Sequence, residues 1–151
     1  MDIPSLPTPI RRSPINNAAN LAEAVLVRWS RQFRMVESAT RLTAERLELL
    51  SVLDRSGEML AGDLAEELGV SRPAITRMLN GLEQDGLIKR AANPLDGRSI
   101  IPRVTPAGRR ALARGRSGRV RVMANRLRGR SERELAQLET GLRLLAELLD
   151  D

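Results

Sequence analysis

The chain has 151 residues, a formal net charge of +6, and neither cysteine, histidine nor tyrosine. Disulfide frameworks, thiol switches, Cys/His metal sites and histidine-based catalysis are therefore excluded from its own side chains. One Trp and one Phe leave no aromatic platform on which single-stranded bases could stack.

Length fits a single domain. Lys89 is the only lysine, so no Walker-type phosphate loop exists. No apolar run approaches the ~20 residues needed to span a bilayer, and the N-terminus lacks the apolar core of a secretory signal. The expectation is a cytoplasmic, non-catalytic protein with no cofactor, no metal and no membrane partner. Its charge is uneven: residues 103–130 hold ten arginines and no acid, and residues 131–151 hold six acids and two arginines. Such a basic block fits a polyanion such as nucleic acid. It equally fits a solvated helix face that offsets the acidic segment behind it.

Residues 1–17 contain Pro4, Pro7, Pro9 and Pro14, which predicts an extended or disordered arm. A helix is predicted over about 18–38, where Ala22, Leu26, Trp29, Phe33 and Val36 recur at steps of three and four. Thr43 is a good N-cap for a second helix that should end near Gly57. A short helix follows over 62–68, stopped by Gly69. Ser71 then caps a fourth helix, with Pro73 in its first turn, running to about Gln84. Residues 87–91 and 100–104 read as strands joined by the turn-forming run Asn93-Pro94-Leu95-Asp96-Gly97-Arg98-Ser99, and Pro102 places the second strand at an edge. Thr105-Pro106 opens a fifth helix. Gly115 and Gly118 should weaken it by roughly 1 kcal/mol each and mark a kink. Ser131 and Glu134 form a capping box for the last helix. Its Leu135, Leu138, Leu142, Leu145 and Leu149 make a heptad seam for a partner helix, or alternatively for an intramolecular core.

The informative stretch is 63–99. Ala65, Gly69 and Ile75 supply the close contact, the turn and the inward anchor of a helix-turn-helix. On the second helix Ile75, Met78, Leu79 and Leu82 share one face. Thr76, Arg77 and Asn80 lie toward the other, with Ser71 and Arg72 at the N-terminal end, where side chains reach base edges and phosphates in a major groove. Lys89 and Arg90 precede the hairpin turn and Arg98 lies just past its tip, so the hairpin could carry an arginine into a minor groove. Asp96 would repel phosphate and is read as structuring the wing.

These residues resemble the MarR (multiple-antibiotic-resistance regulator) family of winged-helix transcription factors. The matching runs are Leu64-Ala65-Glu66-Glu67-Leu68-Gly69-Val70-Ser71, Ile75-Thr76-Arg77, Leu82 through Arg90, Asp96-Gly97-Arg98-Ser99 and Thr105-Pro106-Ala107-Gly108. The resemblance implies a mostly α fold with a small β-hairpin wing. It implies a winged helix-turn-helix DNA-binding region at 41–105 and a helical dimerisation region at 18–40 and 106–151. It implies a homodimer through helices one, five and six that binds palindromic double-stranded DNA, most often as a repressor. DNA-binding residues carried over are Ser71, Arg72, Thr76, Arg77, Asn80 and Arg98, with Lys89 and Arg90 beside them and Asp96 shaping the wing. Family members often respond to a small aromatic or anionic effector; oxidant sensing through Cys and zinc sensing through His are unavailable here. Trp29 and Phe33 have two readings, walls of an effector pocket or a dimer-core stripe, and their spacing favours the stripe. Ala61 departs from the usual Ser/Thr start of the first motif helix. Gly115-Arg116-Ser117-Gly118 mimics a KH-domain loop, but the flanking element order is wrong for that fold. The alternative function is a winged-helix protein-interaction module that no longer reads DNA.

Overall fold

Two long helices frame the molecule. The computed structural model describes residues 4–40, 42–57, 59–92 and 100–149. Helix α1 (Pro14–Thr40) starts four residues earlier than expected, so residues 14–17 of the expected arm are helical. The cause is local: the Ser13 hydroxyl accepts from the Asn16 amide at 3.1 Å, and Pro14, lacking an N–H, is suited to the first helical position. Residues 4–13 fold back on this start, where Asn20 donates its side-chain amide to the Pro4 carbonyl at 2.7 Å and Asn16 donates to the Arg11 carbonyl at 2.8 Å.

Helix α2 (Ala44–Ser56) is capped by Thr43, whose hydroxyl accepts from the Arg46 amide. A hydrogen bond with Thr43 holds the Glu45 carboxyl below its ordinary range, against a small opposing effect of burial. Leu49, Leu50 and Leu53 of α2 are fully buried. They meet Leu64 of α3 (Ala61–Glu67) and Ile75 and Leu82 of α4 (Arg72–Gln84) in one apolar cluster. Ile88 and Val104 of the antiparallel strands β1 (Ile88–Ala92) and β2 (Ile100–Val104) close the cluster. Ile88 pairs with Val104, Lys89 with Arg103 and Arg90 with Pro102. Each such aliphatic side chain, fully buried, contributes roughly 1.5–3 kcal/mol, so the cluster fixes how α3, α4 and the hairpin sit together.

Helix α5 (Pro106–Leu127) runs unbroken through Gly115 and Gly118, which differs from the expected midway weakening and kink. Both glycines are sites of close helix approach. A Cβ on Gly115 would lie 2.7 Å from Leu47 Cδ1 of α2, and one on Gly118 would lie 2.5 Å from Val36 Cγ1 of α1. Tertiary contact thus offsets their poor helix propensity. Within α1, Trp29 and Phe33 stack one turn apart with ring centroids 5.8 Å apart. The Arg119 guanidinium sits 5.3 Å from the Phe33 centroid and pairs with Glu37 at 2.9 Å.

Helix α6 (Glu132–Glu147) begins with the expected capping box. Both the backbone amide and the hydroxyl of Ser131 donate to the Glu134 carboxylate at 2.9 Å. These bonds hold the Glu134 carboxyl below its ordinary range. None of the α6 residues is buried, and Leu135, Leu138, Leu142 and Leu145 are 37–48% exposed. Among the described residues nothing buries the heptad seam.

Candidate nucleic-acid interface

The helix-turn-helix is built at Gly69. Its φ of +61° is a left-handed conformation that side-chain-bearing residues adopt at a cost. In that conformation Val70 donates its amide back to the Ala65 carbonyl at 2.9 Å and Gly69 to Glu66 at 3.1 Å, which ends α3 and turns the chain into α4. Helix α3 starts at Leu60 with no side-chain cap, and Asp63 provides the only acid of its first turn. Ser71 caps α4 by accepting from the Ala74 amide at 3.4 Å.

Helix α4 is sharply two-sided. Ile75, Leu79 and Leu82 are buried, and Ser71, Arg72, Thr76, Arg77 and Asn80 are exposed. The Thr76 hydroxyl donates to the Arg72 carbonyl at 2.9 Å, which leaves its oxygen able to accept. Neither Arg72 nor Arg77 is engaged in an ion pair among the described residues. The C-terminal end is anchored by an ion pair between Arg46 of α2 and Asp85. This helix therefore presents two cations and two hydroxyls outward on a base fixed by apolar burial and by charged ties at its C-terminal end.

The expected hairpin residues separate into two groups. Arg90 turns onto α4, where it pairs with Glu83 at 2.9 Å and donates to the Asn80 side-chain oxygen. Lys89 points to the opposite side, where with Arg103 and Arg109 it lines an open cleft of about 410 Å³ at the base of the hairpin. Asp54 lines the same cleft and pairs with Arg109 at 3.4 Å. Arg103 and Arg109 were not singled out from the sequence. The strand register that sets Arg103 opposite Lys89 is the signal that would have found the first; the second needs the packing of α5 against α2. Asp96 and Arg98 lie outside the described residues. Trp29 and Phe33 stack on α1, where Phe33 meets Arg119 of α5.

The hairpin is joined to α5 by Thr105. Its hydroxyl donates to the Gly86 carbonyl at 2.7 Å and accepts from the Gly108 amide at 3.0 Å. Gly108 lies so close to the chain entering β1 that a Cβ there would stand 2.0 Å from the Leu87 carbonyl oxygen. The Thr-x-x-Gly run is thus a joint between wing and long helix. Among the described residues no group of acids is arranged to hold a metal ion, and no helix is long and apolar enough to cross a membrane.

A turn-linked helix pair, a two-stranded hairpin behind it and a flanking long helix together define a winged helix-turn-helix protein. The model of the MarR family matches residues 42–100. The HTH-type transcriptional regulator MT0903.1 of Mycobacterium tuberculosis is 32% identical over 136 residues, which are 89% of this chain and 93% of that protein. The HTH-type transcriptional repressor MdtR of Bacillus subtilis is 32% identical over 108 residues, 70% of each chain. Among solved structures, a MarR family protein from Bacillus stearothermophilus superposes with a TM-score of 0.81 at 19% identity, over 94% of this chain and 99% of that one. YusO from Bacillus subtilis superposes with a TM-score of 0.74 at 25% identity, over 90% and 99%. The chain belongs to the MarR family of DNA-binding transcription regulators, which are not enzymes.

Proposed function

We propose that the protein is a cytoplasmic homodimeric repressor that binds a palindromic duplex site. The observation that carries this is the two-sided α4: an exposed row of Arg72, Thr76 and Arg77 stands on a face locked by Ile75, Leu79 and Leu82. In this reading Thr76 and Arg77 meet base edges, and Ser71, Arg72 and Lys89 hold phosphates. Arg98 enters the adjacent minor groove from a wing shaped by Asp96. The dimerisation region comprises α1 with residues 106–151, and residues 41–105 form the reading lobe. Pairing rests on α6, whose leucine seam stays exposed among the described residues. A relative at 32% identity carries the name of a repressor, and a dimer seated on a promoter would act by exclusion.

A cleft of about 560 Å³ lies between α2, the end of α3 and α5, with Leu47, Val52 and Leu112 among its apolar walls and Arg116 and Arg119 among its charged ones. Glu48 and Glu67 share the lining with these arginines, so the cleft has apolar walls and mixed charge, and a small molecule bound there would bias the angle between reading lobe and dimerisation helices. The test is selection from a random duplex pool with the purified protein, followed by anisotropy titration at several salt concentrations. The expected site has two half-sites about 34 Å apart and an affinity that falls steeply with salt. A protein that selects no duplex at low ionic strength would instead be an interaction module.

A further inference from the structure

Arg90 reaches α4 from β1, two residues beyond Ile88, the last β1 residue in the buried core. Its Nη1 lies 2.9 Å from Glu83 Oε2 and its Nη2 donates to Asn80 Oδ1. Asn80 and Glu83 are three residues apart and so share one face of α4. A guanidinium has donors only, set in a planar fork, so Asn80 must turn its carbonyl oxygen toward Arg90. Bidentate reading of adenine by asparagine needs that same oxygen together with the amide NH₂. The side chain that sequence logic assigns to base reading is therefore already engaged within the protein. The Arg90 and Glu83 side chains are 42% and 35% exposed, so the ion pair adds little stability by itself. What a forked contact to two residues one turn apart supplies is direction.

We infer that Asn80, Glu83 and Arg90 form a strut between the reading helix and the wing, with Asn80 and Arg90 acting as positioning residues that touch no base. The inference rests on the DNA-reading proposal for its consequence, although the strut itself is a property of the free protein. It sets the angle at which the hairpin leaves α4, and hence whether wing and reading helix engage one duplex together.

Three variants test it. In Asn80→Asp the carboxylate offers Arg90 a stronger, charge-assisted acceptor, so hairpin amide exchange in the free protein should be no faster than in the parent, and whatever affinity the added charge costs should be lost equally on the selected site and on its single-base variants. A base-reading asparagine would lose its donor, and preference at one base position would change. Arg90→Met should weaken binding by roughly three- to tenfold, the scale of one or two lost hydrogen bonds, and equally on the selected site and on every single-base variant of it. In the same variant, without DNA, amide exchange in the hairpin should quicken about fivefold while α2 keeps its protection. Should Arg90→Met not fold, Asn80→Ala serves in both assays with the same expectation. A change of preference at one base position in any of these variants, or unchanged hairpin exchange in Arg90→Met, overturns the strut. Failure of the unmutated protein to select any duplex would sink the DNA reading separately, and the exchange measurement would still decide the strut.

Discussion

Arg77 is the side chain on which sequence and structure agree most simply. It lies on the exposed side of α4, one residue from Thr76 and two from buried Ile75. Replacement by Ala should cost about 1–3 kcal/mol of binding and relax discrimination at one base pair. Anisotropy titrations against a panel of single-base variants measure this; a uniform loss across the panel would make Arg77 a phosphate contact. Gly108 is the contrasting case, where the reason for the residue is invisible in local sequence. A methyl group there would collide with the Leu87 carbonyl oxygen at 2.0 Å and with Val104 Cγ1 at 2.8 Å. A backbone oxygen cannot retreat without moving the hairpin. Gly108→Ala should therefore destabilise the fold by about 3 kcal/mol, at the upper end for overpacking, as read by urea denaturation.

Among the elements, α5 departs furthest from its local propensity. Propensity alone marks Gly115 and Gly118 as weak points, since Ala is better in a helix by roughly 1 kcal/mol. Packing reverses that judgement. Val36 is β-branched and stiff at χ1 within α1, so it cannot yield to a Cβ placed 2.5 Å away. Gly118→Ala should lower stability by about 1–2 kcal/mol despite its gain in propensity, a sign that thermal melts would establish directly. Helix α6 behaves as its sequence reads. Glu134 completes the capping box, and its carboxyl is held below the ordinary 4.5 chiefly by bonds from the Ser131 amide and hydroxyl. A carboxyl lowered in the folded state adds stability that is complete above the unfolded value and lost as pH falls through the folded one. The advantage of the parent protein over Glu134→Gln should therefore be complete at about pH 7 and shrink as pH falls below 4.5 and through the lowered folded value. Melting both proteins across that range checks it.

At the scale of the whole molecule the question is what covers α6. Leu138 and Leu142 are 41% and 48% exposed, and a seam of this kind is covered by a second copy in the proposed dimer. Replacing both by Glu should give a monomer by analytical ultracentrifugation. It should also weaken operator binding more than about 100-fold, because two linked half-sites gain a factor of 10² or more from their tethering.

The sequence alone determined the order of elements, the caps at Thr43, Ser71, Thr105 and Ser131, the buried and exposed faces of α4, and the family. These are legible because caps, periodicity and turn residues act over a few positions along the chain. Tertiary structure alone decided that Gly108, Gly115 and Gly118 are points of close approach, that Arg103 joins Lys89, and that Arg90 binds Asn80 and Glu83. Each of these depends on residues brought together by packing from distant or separately folded elements. Side-chain spacing along one helix carries no record of what lies across from it.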